Sequence, residues 1–268
     1  MRAASLTSQL PHRPASGDGT AVGGPKRWFF DAWSYVYDIP LVQRATYRPV
    51  QDAVIGALRE GRPSRVLDIG CGTGLLTSRI RAVFPRARIV GCDFSGGMLA
   101  HAARRDPSVH WVQGDGGRLP FADRAFDTIV STEAFHWFPD QAAALAEFFR
   151  VLEPGGRLFL ALMNTPAAPV SAALHAGSRL LGEPFYWPSN RQMREWVEGA
   201  GFCVERRQRV YRLPGLLFPP VLTCAVRQPA LAYQGAQRRR RPSRATRNAR
   251  SAPASKTGRG RREGHSHP

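Results

Sequence analysis

Lysine is all but absent from this 268-residue sequence: of 38 basic residues only Lys26 and Lys256 are lysine, and the rest are arginine. Acids are scarce as well, 20 against those 38, for a formal charge of +18. The arginine bias, with abundant alanine, glycine and proline, reads as the imprint of a GC-rich coding sequence rather than of a nucleic-acid partner. Long apolar runs are missing too. No stretch approaches the roughly 18 apolar residues that a membrane-spanning helix needs. The longest candidate, residues 213–226, is broken by Pro214, Pro219 and Pro220. The first 24 residues lack the apolar segment of a secretory leader. Cysteine is sparse and scattered: Cys71, Cys92, Cys203 and Cys224 form no CxxC pair, so no metal site is expected and a disulfide framework is disfavoured. The four read as buried, reduced thiols of a cytoplasmic protein.

What remains is an ordinary globular composition. Hydrophobic residues make up 43%, enough for a sizeable core, and the length allows one domain plus trimmings. The charge is unevenly placed. Residues 235–268 carry 11 basic residues and one acid, Glu263, a net of +10, more than half of the total. This low-complexity tail is too poor in apolar residues to fold, so residues 227–268 are expected to be disordered, as are residues 1–25. Three readings of the tail stay open: an electrostatic hold on nucleic acid or another anionic surface, an inert solvated extension, or a displaced reading frame. Residues 28–37 hold six aromatics, Trp28, Phe29, Phe30, Trp33, Tyr35 and Tyr37. Helical spacing comes next, over residues 41–58.

From residue 65 the texture alternates. Short apolar runs at 66–69, 87–90, 109–112, 127–130 and 158–162 read as strands, and the periodicity between them predicts helices over 75–84, 95–105 and 140–152. Strands alternating with helices argue for a parallel α/β sheet, over residues 63–226. The segment after Met163 is less regular. It holds a helix over 190–200, stopped by Gly201, and two β-like runs at 203–211 and 216–226.

The sharpest local signal is Val66-Leu67-Asp68-Ile69-Gly70-Cys71-Gly72-Thr73-Gly74. An apolar strand runs into three alternating glycines and then a helix, a turn that lets backbone approach a ligand beyond the carboxyl end of the sheet. A dinucleotide fingerprint needs its third glycine one residue later, where Leu75 stands. Asp68 ahead of the loop, Asp93 after the second strand and Asp115 after the third would line a rim with carboxylates. Such a rim suits a cationic, hydroxyl-bearing nucleoside better than a diphosphate.

These motifs resemble the class I S-adenosylmethionine-dependent methyltransferases, and several fit in order. Residues 66–74 are similar to the family's glycine-rich motif. Val90-Gly91-Cys92-Asp93-Phe94-Ser95-Gly96-Gly97-Met98-Leu99 is similar to its second motif, and Gly114-Asp115-Gly116-Gly117-Arg118-Leu119-Pro120-Phe121 to its third. Residues 126–130 and 150–158 fit the fourth strand and the turn before the fifth. The branch that looks nearest contains quinone-biosynthesis and other small-molecule methyltransferases. The resemblance implies a doubly wound, Rossmann-like sheet of seven strands, mostly parallel, with an antiparallel last strand. It implies S-adenosylmethionine as cofactor, with Asp68 reaching the methionine ammonium and Gly70, Gly72 and Gly74 passing close by. Asp93 would accept from the ribose hydroxyls, Met98 would pack on the adenine, Phe94 would be a further cofactor contact, Asp115 and the Gly116 amide would read the adenine edge, and residues 26–62 would fold over the cofactor as a helical lid. Ser95 reads as a helix cap.

Methyl transfer from a sulfonium is an in-line displacement that rests mainly on positioning. A base is needed only where the acceptor keeps its proton at neutral pH. His136 and Glu133, just past the fourth strand, are the candidates for that role; Trp137 and Phe138 read as pocket wall or core. A small-molecule acceptor is the leading reading. The alternative is an RNA methyltransferase that uses the arginine-rich tail, disfavoured because Ser131-Thr132-Glu133-Ala134 stands where a base-amino methylase carries an Asx-Pro-Pro-aromatic motif. Nothing in the sequence sets the oligomeric state.

Overall fold

The computed structural model describes residues 46–165, 168–180, 186–211 and 219–229. Residues 1–45, with the aromatic stretch at 28–37, and the tail beyond Pro229 lie outside them.

The chain enters on helix α1, Arg48–Arg59, with proline in its first turn where no amide partner is lost. The periodicity starts this helix at residue 41; residues 41–45 are outside the described part. Five strands and three helices follow, alternating except between β3 and β4, which a turn-rich stretch joins: β1 (Arg65–Ile69), α2 (Leu75–Val83), β2 (Arg88–Asp93), α3 (Gly96–Arg105), β3 (His110–Gln113), β4 (Phe126–Thr132), α4 (Gln141–Val151) and β5 (Leu152–Met163). Helix α5 (Ala168–Leu180), helix α6 (Asn190–Gly199) and strands β6 (Phe202–Arg209) and β7 (Pro220–Arg227) complete the unit. Ser95, Asp140 and Ser189 each cap a helix through the side chain, and Ser189 with Gln192 forms a reciprocal capping box.

The seven strands form one sheet in the order β3-β2-β1-β4-β5-β7-β6. Strands β1 to β5 pair in parallel, and β7 runs antiparallel between β5 and β6. This is the expected doubly wound sheet with one antiparallel strand, the last. Both faces are covered, so the parallel strands read as unbroken apolar runs. Leu67, Ile69, Ile129, Leu158 and Leu160 face one way and pack with Leu145 and Phe148 of α4 and Met193 and Val197 of α6. Their neighbours Val66, Val130, Phe159 and Ala161 face the other way, against Val54 and Leu58 of α1 and Leu76 and Ile80 of α2.

Two expectations change. The segment after Met163 contains a thirteen-residue helix, α5, where the sequence looked irregular. The cysteines are all free, but only Cys92 and Cys224 are buried; Cys71 is half-buried and Cys203 is exposed on β6. Among the described residues no helix is long and apolar enough to cross a membrane.

Candidate functional site

Strand order reverses between β1 and β4: the chain winds outward from β1 through β2 to β3, then returns to β4. Ligands of such sheets bind in the crevice beyond the carboxyl ends at this point. Here the crevice lies between the glycine loop after β1 and the turn after β4.

The loop is built on left-handed backbone. Gly70, Gly72 and Gly74 have φ of +70°, +56° and +76°, a region where a side chain costs energy. The amides of Gly70 and Cys71 both donate to the Cys92 carbonyl, at 2.8 and 3.2 Å, which ties the loop to β2. The Gly72 amide donates to Asp93 Oδ2 at 2.8 Å, while the Ser95 amide donates to Asp93 Oδ1 at 2.9 Å. One carboxylate thus pins the loop and the start of α3 together, and its plane is fixed by bonds to both oxygens. From the far end of α3, Arg105 Nε donates to the Thr73 carbonyl at 3.0 Å. The Trp111 ring fills the space that a Cβ would need at Gly74 and Gly91. At Gly72, by contrast, no atom of the described residues beyond its chain neighbours lies within 4 Å of where a Cβ would stand.

Asp68 departs from the expected rim. It lies within β1, only 1% exposed, and accepts from the Thr77 hydroxyl at 2.6 Å. Burial, with a smaller push from Asp93, raises its pKa to about 7 against the pull of the Thr77 bond. Asp93 is also buried, at 7%. Of the three acids only Asp115 is exposed. The carboxylates therefore form a floor with one outlying member, because strand residues facing α2 are covered by that helix. Burial, followed by the charges of Asp93 and Asp68, pushes the Cys71 thiol well up, so it is no nucleophile at neutral pH.

The turn after β3 sits beside this floor: the Gly114 amide donates to the Asp93 carbonyl at 3.0 Å. Asp115 Oδ1 accepts from the Gly117 amide at 2.9 Å. The Phe138 ring lies 3.0 Å from where a Gly116 Cβ would stand, so the turn after β4 rests on the turn after β3. Arg150 of α4 braces the chain between that turn and β4. Its guanidinium donates to Glu147, to Asp123 and to the carbonyls of Leu119 and Phe121 at 2.7–3.0 Å, and Glu147 Oε2 accepts from the Leu119 amide at 2.8 Å. Phe94 is half-buried, with its carbonyl bonded to Gln113, and Met98 is 4% exposed on α3.

Past β4, Glu133 adopts φ +52°, and its amide donates to the Ala161 carbonyl of β5 at 2.7 Å. The Ala134 methyl occupies the place a Gly70 Cβ would take, so the two sides of the crevice meet there. His136, 6% exposed, sits on a 3-10 turn, Phe135–Trp137. Its ring packs with Trp137 and Trp187 at 5.0 and 5.8 Å between centroids. The Tyr186 amide donates to the His136 carbonyl at 2.9 Å, and Gln141 Nε2 donates to the carbonyls of Phe135 and Tyr186 at 3.3 and 3.1 Å.

The structure thus gathers Asp68, Gly70, Gly72, Gly74, Asp93 and Phe94 around one loop, with Asp115 and Gly116 beside it and Glu133 and His136 across the crevice. Sequence reasoning missed Thr77, Arg105, Gln141 and Arg150. Thr77 alone left a signal, since it lies in the first turn of the helix that comes after the glycine loop.

Residues 67–160 match a family model described as a methyltransferase domain. The chain is 36% identical over 138 residues to a malonyl-[acyl-carrier protein] O-methyltransferase of Hahella chejuensis, covering 51% of this chain and 48% of that protein. It is 32% identical over 169 residues to a demethylmenaquinone methyltransferase of Deinococcus radiodurans, covering 61% of this chain and 70% of that one. The chain belongs to the class I S-adenosylmethionine-dependent methyltransferases. The chain spans about half the length of several curated relatives that it matches. Its fold is shared with the N-methyltransferase NodS from Bradyrhizobium japonicum, solved in complex with S-adenosyl-L-homocysteine: TM-score 0.58, 18% identity, 75% of this chain and 97% of that one.

Proposed function

We propose that this methyltransferase transfers a methyl group from S-adenosylmethionine to a small-molecule acceptor by in-line displacement, in the cytoplasm. One observation carries the reading: at the switch point of the sheet two buried carboxylates, Asp68 and Asp93, are wired to the glycine loop and its helix. A diphosphate there would face negative charge, whereas an ammonium and ribose hydroxyls complement it. The open space beside Gly72 and the burial that holds Asp68 near neutrality, ready to ionise beside a cation, both fit an adenosyl amino acid.

When bound, S-adenosylmethionine supplies a methyl already activated by its positive sulfur. The residues then hold and orient. Asp68 takes the ammonium, Gly70, Gly72 and Gly74 let backbone approach, and Asp93 accepts from the ribose. Phe94 and Met98 flank the adenine, and Asp115 and the Gly116 amide read its edge. His136 and Glu133 line the methyl end and exclude water, where either could hold the acceptor's proton. Residues 26–45 of the expected lid lie outside the described residues, and α1 packs on one face of the sheet, with Val66, Phe159 and Leu222. Trp137, Tyr186 and Trp187 beside His136, and a relative named for demethylmenaquinone, support an apolar, quinone-like or related acceptor.

Calorimetry tests the cofactor. Micromolar binding of S-adenosylmethionine with no binding of NADH supports the reading, and the reverse overturns it. Transfer of a labelled methyl group into a metabolite extract then identifies the acceptor.

A further inference from the structure

Two non-glycine residues among those described have left-handed backbone, Arg124 at φ +59° and Glu133 at φ +52°. Neither is a residue type that tolerates this region well. Arg124 lies in the surface turn before β4, with its amide bonded to the Arg150 carbonyl at 2.9 Å. Glu133 lies at the root of the crevice, one residue before the alanine that touches Gly70. It is half-buried in a chain with few acids to place. Its conformation is pinned by the amide bond to Ala161 of β5. Backbone strain of this kind gathers where function fixes a side chain, and a glycine or asparagine would have relieved it.

Resting on the methyl-transfer reading above, we propose that Glu133 is the polar anchor of the acceptor site, and that the acceptor carries an O–H or N–H at the atom methylated. The carboxylate accepts a hydrogen bond from that group and so aims its lone pair at the methyl. As the bond from oxygen or nitrogen to methyl forms and the sulfur–methyl bond breaks, the acceptor's proton passes to Glu133. The positive sulfonium, the carboxylate and the neutral acceptor become a neutral thioether, a protonated Glu133 and a methylated acceptor, so charge and atoms balance. Glu133 acts here as a catalytic residue, in contact with the acceptor.

The test uses the full chain and three variants: Glu133→Gln, Glu133→Gly and Arg124→Gly. Melting is measured with S-adenosylhomocysteine bound, alone and with a panel of phenols and anilines, which are neutral at pH 7, each paired with its O-methyl or N,N-dimethyl counterpart. The proton-bearing compounds should raise the melting temperature of the wild type while the methylated ones do not, and Glu133→Gly should abolish the rise while Glu133→Gln, which keeps an acceptor oxygen, only reduces it. Any phenol or aniline turned over by the wild type should lose about 100-fold or more in kcat/KM in Glu133→Gln, with S-adenosylmethionine affinity unchanged within twofold. Without ligand, Glu133→Gly should melt about 2–4 °C above the wild type, and Arg124→Gly should do likewise with no loss of activity. The proposal is overturned if Glu133→Gly melts lower, if methylated compounds bind as well as their parents, if no phenol or aniline binds, or if Glu133→Gln retains full activity. Failure of the wild type to bind S-adenosylmethionine would instead remove the methyl-transfer reading itself.

Discussion

Replacing Asp68 by asparagine should make the cofactor-free protein more stable and its cofactor site worse. The carboxyl ordinarily titrates at 3.8 and is raised to about 7 in the fold, chiefly by burial. In the unfolded chain it loses its proton near the ordinary value; in the fold it keeps it until about pH 7. Between those limits the folded state binds more protons, so stability falls as pH rises from about 4 to about 7 and levels off above. About three pH units at about 1.4 kcal/mol each give a penalty of about 4 kcal/mol at pH 8. The introduced amide would keep an oxygen for the Thr77 hydroxyl but carry no charge. The variant should therefore lose this part of the pH slope and melt up to about 10 °C higher at pH 8, and little differently at pH 4. An ammonium beside Asp68 reverses the balance by favouring the ionised form. Wild-type affinity for S-adenosylmethionine should rise with pH through about 7, with proton release on binding at pH 6. Asp68→Asn should bind about 100-fold more weakly and without that dependence. Thermal denaturation from pH 4 to pH 9, with calorimetry in buffers of different ionisation enthalpy, reads both effects. Parallel melting curves for the two proteins, or equal affinity for the cofactor, would refute the reasoning.

Four further outcomes are expected. Gly72→Ala meets no atom of the described residues within 4 Å beyond its chain neighbours and faces only its positive φ, so it should cost about 1 kcal/mol of stability in chemical denaturation yet weaken cofactor binding at least about tenfold. Gly70→Ala overlaps the Ala134 methyl and should cost about 3 kcal/mol, with part recovered in the double variant that also carries Ala134→Gly. Arg150→Met should cost about 2 kcal/mol, since it strands Glu147 and two carbonyls at a partly exposed site; the loosened turn after β3 should also raise the cofactor Kd. Removing residues 230–268 should leave melting and cofactor affinity unchanged. A loss of salt-sensitive RNA binding together with activity on RNA would favour the nucleic-acid alternative.

The alternation of strands and helices was legible because the inner parallel strands β1, β2, β4 and β5 are largely buried on both faces and each helix on one, which leaves different periods in the sequence. The count of seven strands and the antiparallel last one came from the resemblance, while their order emerged only in the structure, since periodicity does not say which strands are neighbours. Helix α5 escaped notice because Ala168-Pro169 opens it and small residues fill it, so its apolar side is weakly marked. Asp68, Asp93 and Asp115 looked alike as a rim of acids; only the packing of α2 on β1 separates a buried Asp68 from an exposed Asp115. The strain at Glu133 left no trace, because glutamate carries no preference for left-handed backbone and only a glycine there would have announced the turn. The bracing by Arg150 was equally silent: one arginine among many becomes distinctive only when its partners converge.

Strand β7 is the last made and yet lies inside the sheet, between β5 and β6. During synthesis the earlier strands can assemble, but β5 keeps an open, strongly apolar margin until Arg227 has emerged. Until then that margin is a template for any other extended chain. A ribosome stalled before residue 220, or a nonsense mutation there, should therefore yield a sticky product rather than a small inactive one. Supplying residues 219–229 as a separate peptide should rescue its solubility.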